Sequence, residues 1–223
     1  MSKCLFVTGT GTDVGKTYIT ALMVKKLRDF GINAGYYKAA ISGINSDTPN
    51  DAEYVKKISG IEENWENLVS YTYREAVSPH LAAKINNQPI EWEVIERDFN
   101  RAKEKYDYLT VEGSGGIICP LRYDDNERFI LDDMVCQMKL SVVVVSNAGL
   151  GMINSTVLTV EHLQSRNIPI KGIIINNYHA ESLMEQDNLK MTIAMTGVPI
   201  MAVVPPQGKD LAVDCKTLTG LYE

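Results

Sequence analysis

Leu5-Phe6-Val7-Thr8 runs directly into Gly9-Thr10-Gly11-Thr12-Asp13-Val14-Gly15-Lys16-Thr17. Residues 18–30 follow, with Ile19, Leu22, Met23 and Leu27 at helical spacing. A short β-branched and aromatic run, a glycine-rich turn, and Gly-Lys-Thr opening an amphipathic helix form the context of a phosphate-binding loop. Glycines let backbone N–H groups curl around phosphate oxygens, and the helix N-terminus adds partial positive charge. In such a loop Lys16 reaches the β- and γ-phosphates and the Thr17 hydroxyl sits on Mg²⁺. The usual spacing places a glycine at position 10, which here is Thr10; Gly9 lies one residue further out, so the loop is an extended variant. A chance glycine-rich turn with an exposed lysine would not carry all four features in order. The sequence therefore predicts nucleoside triphosphate binding.

Working outward, strands and helices alternate to the end of the chain. Strands are expected at residues 34–39, 68–73, 108–112, 141–146, 171–176 and 200–204. Helices are expected at 51–58, 78–85, 89–105, 153–166 and 181–195. Ser78 stands at an N-cap with Pro79 in the first helical position, and Pro89 marks the next helix start. A polar loop at 45–50 precedes the 51–58 helix. The valine run at 142–145 and the isoleucine run at 173–175 read as central strands buried on both faces. This β-α alternation predicts a single-domain α/β fold of the P-loop NTPase type spanning 1–223, with about seven mainly parallel strands and helices on both faces. Ligands of such sheets bind beyond the C-terminal strand ends. That directs attention to the loops at 9–17, 38–43, 112–116 and 147–154.

Composition narrows the function classes. The chain has 223 residues, 45% of them hydrophobic and 22% charged, with a formal net charge of −6. These values suit an ordinary globular protein and argue against nucleic acid or anionic membrane as the main partner. Four scattered cysteines without a C-x-x-C, beside only three histidines, argue against structural zinc and suit reduced, mostly buried thiols. No apolar run approaches the ~18 residues of a membrane helix. The chain is expected to enter strand one after three residues, so no signal peptide is expected. The expected compartment is the cytoplasm.

The motifs, in order, resemble those of the dethiobiotin synthetases. They are V-T-G-T-x-T-[DE]-V-G-K-T at 7–17, G-Y-x-K with a following S-G at 35–43, and D-A at 51–52. S-P-H at 78–80, V-E-G-x-G-G at 111–116 and L-G-x-I-N at 150–154 complete the set. The resemblance covers roughly residues 1–205. It implies ATP-dependent ring closure of 7,8-diaminononanoate with CO₂, through a carbamate and a carbamic–phosphoric anhydride. It also implies Mg²⁺ and a homodimer with the active site at the subunit interface.

The resemblance assigns residues as follows. Lys16 and Lys38 are the catalytic lysines, with Lys38 facing the carbamate and γ-phosphate. Thr17, Asp51 and Glu112 are the metal ligands. Thr12, Asp13, Val14, Gly15, Lys16, Thr17 and Tyr18 form the nucleotide-binding loop, with Asn176 and Pro205 on the side of the base. Thr12, Asp13, Lys38, Ser42, Gly115 and Gly116 face the substrate. Leu150, Gly151 and Asn154 reach the neighbouring subunit's site, where the substrate's distal carboxylate binds. Several positions carry two readings. Asp13 contacts a substrate amine or points to solvent. Gly115 and Gly116 offer backbone amides or form a plain tight turn. Residues 150–154 hold a carboxylate or are an ordinary capped helix, and Asn176 touches the base or serves the strand end.

Two departures stand out. The family's K-P-V-x-S-G reads Lys38-Ala39-Ala40-Ile41-Ser42-Gly43 here, which softens the loop without removing a functional group. The segment at 207–223 matches little, so base preference is open. The competing class is a switch ATPase of the partitioning or cell-division type. Its signature lysine would stand five residues before Lys16, where this chain has Gly11.

Overall fold

The computed structural model describes residues 2–45 and 47–223. Ser46, in the polar loop expected at 45–50, lies outside the described residues. Seven parallel strands form the main sheet: β1 (Lys3–Gly9), β2 (Ala34–Ser42), β3 (Val69–Tyr73), β4 (Tyr108–Glu112), β7 (Val142–Asn147), β8 (Ile170–Asn176) and β9 (Ile200–Val204). Their order is β3-β2-β4-β1-β7-β8-β9, so β1 and its glycine loop lie at the middle. The seven expected strands are all present, and the fold class stands as read.

Alternation along the central strands separates two cores. Leu5, Val7, Tyr36, Val143, Val145 and Ile174 point to one face. There they pack under α1 (Lys16–Asp29), α2 (Asp51–Ser59) and α8 (Cys215–Thr219). Phe6, Tyr37, Val142, Val144, Ile173 and Ile175 point to the other. That face is covered by α3 (Pro79–Ile85), α4 (Trp92–Lys105), α5 (Leu131–Gln137) and α6 (Met152–Ser165). Leu189 brings α7 (Leu183–Thr196) against the same side. The same alternation sets Tyr36 and Lys38 on the α1 face of β2, and Thr110 and Glu112 on the α1 face of β4. Lys38 pairs in register with Glu112, and Tyr36 with Thr110.

Several boundaries differ from the sequence reading, each for a local reason. The helix expected from Pro89 begins at Trp92. Glu91 is extended and its N–H donates to the Tyr71 hydroxyl at 3.0 Å, so this backbone group is satisfied without a helical turn. Ser78 does hold the N-cap of α3 with Pro79 behind it, but its side chain makes no capping bond. Leu68 belongs to a short 3₁₀ turn (Trp65–Leu68) before β3. A two-stranded antiparallel hairpin, β5 (Pro120–Tyr123) with β6 (Arg128–Ile130), was not expected, nor were α5 and α8. Arg122 anchors the hairpin, its guanidinium donating to Glu91 at 2.5 Å, Asp124 at 2.7 Å and Glu127 at 2.9 Å. All four cysteines are free, but only Cys4 and Cys119 are buried; Cys136 is exposed, contrary to the expected mostly buried set. Among the described residues no helix is long and apolar enough to cross a membrane.

Candidate active site

The loop at 9–17 leaves β1 and enters α1 through Gly15, whose φ of 93° is the left-handed conformation glycine tolerates. No side chain caps α1 and no acid lies in its first turn, so the first N–H groups are free for an anion. The extended spacing has a steric reason. A Cβ at Gly9 would lie 2.7 Å from Val14 Cγ2 and 2.9 Å from Lys16 Cγ, so glycine is required where the loop closes on itself. Asp13 adopts φ 59°, which a short polar side chain can accept, and its side chain is exposed. Lys16 folds back over the loop and donates to the Gly11 carbonyl at 2.8 Å. Burial and the Lys38 charge push the Lys16 ammonium below its ordinary value, against Glu112, Asp51 and Asp13.

Glu112 ends β4 with 1% of its surface exposed. Its Oε1 accepts from the Thr17 hydroxyl at 2.7 Å and from Lys38 Nζ at 2.7 Å, while Oε2 accepts from the Tyr36 hydroxyl at 3.0 Å. Lys38 Nζ also donates to Asp51 Oδ2 at 2.5 Å. Burial alone would favour neutral Lys38, but Glu112 and Asp51 outweigh it and hold the ammonium above the usual lysine value. Asp51 answers in kind: burial pushes its carboxyl up, and Lys38 and the Thr17 hydroxyl more than offset that, leaving it below the usual range. Asp51 is the first residue of α2, where Asn50 and Glu53 close a reciprocal capping box. Such a cap contributes about 1 kcal/mol and fixes the start of the helix that presents Asp51.

Lys16, Thr17, Lys38, Asp51 and Glu112 line a cleft of about 530 Å³ with Thr12, Asp13, Gly15, Tyr18, Tyr54 and Gly115. A second cleft of about 710 Å³ shares Thr12, Asp13, Lys38, Asp51 and Gly115 and adds Ser42, Ser78, Gly116 and Cys119. The two meet at Lys38. Thr17, Asp51 and Glu112 are hard oxygen donors, and both carboxylates already converge on one cationic nitrogen, which is the donor set Mg²⁺ prefers. Among the described residues no three His, Cys, Asp or Glu gather as a metal cage. A Mg²⁺ ion held here would draw its other ligands from phosphate and water, as it commonly does.

Other expected residues line neither cleft. Asn176 ends β8, where its Nδ2 donates to the Val14 carbonyl at 3.1 Å and packs against Gly15. Its Oδ1 is buried and has no hydrogen-bond partner among the described residues. Pro205 is exposed just beyond β9. Leu150 and Gly151 line neither cleft; Leu150 is 91% exposed, ahead of α6, whose N-cap is Gly151. Asn154 borders a smaller depression with Thr10 and Gly116.

A profile described as an AAA domain matches residues 3–210. An ATP-dependent dethiobiotin synthetase from Brachyspira hyodysenteriae is 46% identical over 223 residues, covering 100% of both chains. One from Clostridium botulinum (strain Eklund 17B) is 44% identical over 227 residues, covering 100% of this chain and 99% of the relative. The chain belongs to the dethiobiotin synthetase family. In fold it is also similar to more distant proteins. A MinC:MinD cell division complex from Aquifex aeolicus matches with a TM-score of 0.57 at 16% identity, over 92% of this chain and 81% of that one. A ParA family ATPase from Chlorobium tepidum matches with a TM-score of 0.57 at 15% identity, over 99% and 90%. At such identities the likeness speaks for the fold alone.

The synthetase resemblance gave no role to several residues at the site, one of which, Tyr36, stands inside its motif at 35–38. Tyr36 touches Glu112, and the strand period could have revealed it, since it stands two residues before Lys38. Tyr54, three residues after Asp51 on α2, lines the first cleft and was also missed. Cys119 lines the second, and burial raises its thiol above the usual value despite Lys16 and Lys38.

Proposed function

We propose that the chain closes 7,8-diaminononanoate with CO₂ to dethiobiotin, converting ATP to ADP and phosphate. One amine adds to CO₂ and gives up a proton, forming a carbamate. A carbamate oxygen attacks the γ-phosphorus and ADP departs. The second amine then attacks the carbamoyl carbon, loses a proton and expels phosphate as the ring closes. The observation that supports this best is the second buried lysine. A phosphate loop used for binding alone needs only Lys16, whereas here Lys38 stands between two carboxylates where the two clefts meet.

The charge arithmetic suits the reaction. Carbamate and γ-phosphate are both anionic and must approach one another, so fixed cations at that point lower the barrier without a covalent enzyme intermediate. An ammonium has three donors, and Asp51 and Glu112 take two of those on Lys38, leaving one for an incoming oxyanion. Lys16, the loop amides from Thr12 to Tyr18 and the start of α1 hold the polyphosphate. Thr17, Asp51 and Glu112 would hold Mg²⁺, which when bound neutralises phosphate charge. Thr12, Asp13, Ser42, Gly115 and Gly116 place the diamine in the second cleft, and positioning supplies much of the ring-closure rate. Asn176, whose buried oxygen has no partner among the described residues, and Pro205 take the base. Leu150, Gly151 and Asn154 serve a partner's site in a homodimer, a reading supported by the exposure of Leu150 and by the absence of all three from the linings of the two clefts.

The test is phosphate release from ATP with Mg²⁺ and bicarbonate, with and without the diamine, and mass detection of the cyclic urea. Release that requires the diamine, with the urea formed, supports the proposal. Slow release indifferent to the diamine overturns it and favours a switch ATPase.

A further inference from the structure

Tyr36 lies on β2 two residues before Lys38, so both side chains rise on the same face of the strand. Its ring is fully buried beneath α1, in the core formed with Leu5, Val7 and Ile19. Its hydroxyl reaches up to Glu112 Oε2 at 3.0 Å. The opposite oxygen, Oε1, is the one that meets both Thr17 and Lys38. The carboxylate is thus pinned from below through one oxygen and presented to the cleft through the other. A carboxylate at a strand end can rotate about its last side-chain bond, and that torsion is broad and weakly restrained. A neutral donor fixed in the core removes this freedom without adding a charge that would compete with a cation.

We propose that Tyr36 is a positioning residue that fixes the Glu112 carboxylate for divalent-cation binding at the nucleotide site. The inference rests on the reading of Glu112 as a metal ligand given above. The rationale is that of groups behind metal ligands generally, where loss of one hydrogen bond weakens metal affinity about tenfold to a hundredfold. Tyr37, the neighbouring tyrosine, cannot serve, because alternation sends it to the opposite face, where its hydroxyl meets Ser70 and the Ile95 carbonyl.

The experiment compares wild type, Tyr36→Phe, Glu112→Gln and the double variant by calorimetric titration with ADP, in Mg²⁺ and in EDTA. Thermal melting of each variant reports folding. Tyr36→Phe is expected to weaken ADP binding in Mg²⁺ about tenfold while leaving binding in EDTA unchanged. A merely structural tyrosine would weaken both equally or neither, and either result overturns the inference. In the Glu112→Gln background, Tyr36→Phe is expected to cause no further loss of Mg²⁺ dependence; a further loss means that Tyr36 acts by another route and sinks the proposal. If Tyr36→Phe alone does not fold, a further loss of Mg²⁺ dependence in the double variant still overturns the inference. If wild type and Glu112→Gln show the same Mg²⁺ dependence, the reading of Glu112 as a metal ligand fails instead, and the inference falls with it.

Discussion

Lys38 and Glu112 are register partners on adjacent parallel strands, and Lys38 Nζ lies 2.7 Å from Glu112 Oε1 with both side chains almost fully buried. A pair this deep is a weak source of stability, because desolvation offsets most of the attraction. Its retention calls for a reason other than stability, and the meeting of two clefts at Lys38 supplies one. The buried ammonium is kept charged by its partners and lies where the two clefts meet, the point that the proposed function gives to phosphate and substrate.

Removing that ammonium separates its two roles. Lys38→Ala is expected to lower diamine-dependent turnover at least about a hundredfold, the scale for losing one preorganised electrostatic group. It should also destabilise the fold by about 3 kcal/mol, since Glu112 is left buried without its cation. Adding Glu112→Gln should restore much of the melting temperature and none of the turnover. Phosphate-release kinetics and thermal melting read the two effects. Lys38→Ala turning over within tenfold of wild type at saturating substrate would remove Lys38 from the reaction.

Gly15 offers a steric test of the loop. A Cβ there would stand 2.0 Å from Asn176 Nδ2, and the residue's φ of 93° is unfavourable for any L side chain. Gly15→Ala is expected to abolish measurable ATP binding by titration calorimetry, with the strain of the left-handed conformation alone costing about 1–2 kcal/mol. Gly15→Ala with Asn176→Ala removes the clash but keeps the strain, so binding should return only in part. Full ATP affinity in Gly15→Ala would mean that Gly15 and Asn176 do not share a nucleotide site.

What the sequence made legible follows from what each region depends on. The phosphate loop was readable because glycine, lysine and threonine at fixed spacing answer to local backbone chemistry. The central strands were readable because the valine and isoleucine runs are buried on both faces. The hairpin of β5 and β6 was not read, although Asp124-Asp125-Asn126 is a turn signal. Its strands have four and three residues, and it depends on Arg122 reaching Glu91 from another part of the chain. Lys38, Asp51 and Glu112 could be named by resemblance, but their convergence on one nitrogen needed the β2–β4 register. Tyr36 stood inside a motif but received no role, because a buried tyrosine in a strand reads as core until its hydroxyl partner is seen.

Under the homodimer proposal, Leu150 would bear on assembly. Leaving a leucine 91% exposed ahead of a helix forgoes burial worth about 1.5–3 kcal/mol, and a second copy of the chain would recover it. Leu150→Glu is expected to shift the protein from dimer to monomer in sedimentation and to lower activity in parallel, with the loss reduced at high protein concentration. A wild-type protein that sediments as a monomer at working concentration would end the homodimer proposal.

Stability should also respond to pH through Glu63. Its carboxylate accepts from Lys105 Nζ at 2.8 Å and from the Tyr106 hydroxyl at 2.9 Å. Tyr106 in turn packs on Gly35 so closely that a Cβ there would lie 2.2 Å from its ring, so Glu63 helps secure the starts of β2 and β4. Burial pushes the Glu63 carboxyl up, but Lys105 and Tyr106 outweigh it and hold the group below its usual range. A folded pKa below the unfolded one, which is about 4.3, gives stabilisation that is complete above that value. It fades as the pH falls through the folded pKa. Glu63→Gln should therefore be about 1 kcal/mol less stable than wild type at pH 7 in denaturant titrations, a typical net value for such hydrogen bonds. The gap should close progressively below about pH 4 as wild-type Glu63 protonates. A gap that stays constant from pH 7 to pH 3 would show that Glu63 contributes through packing and not through its charge.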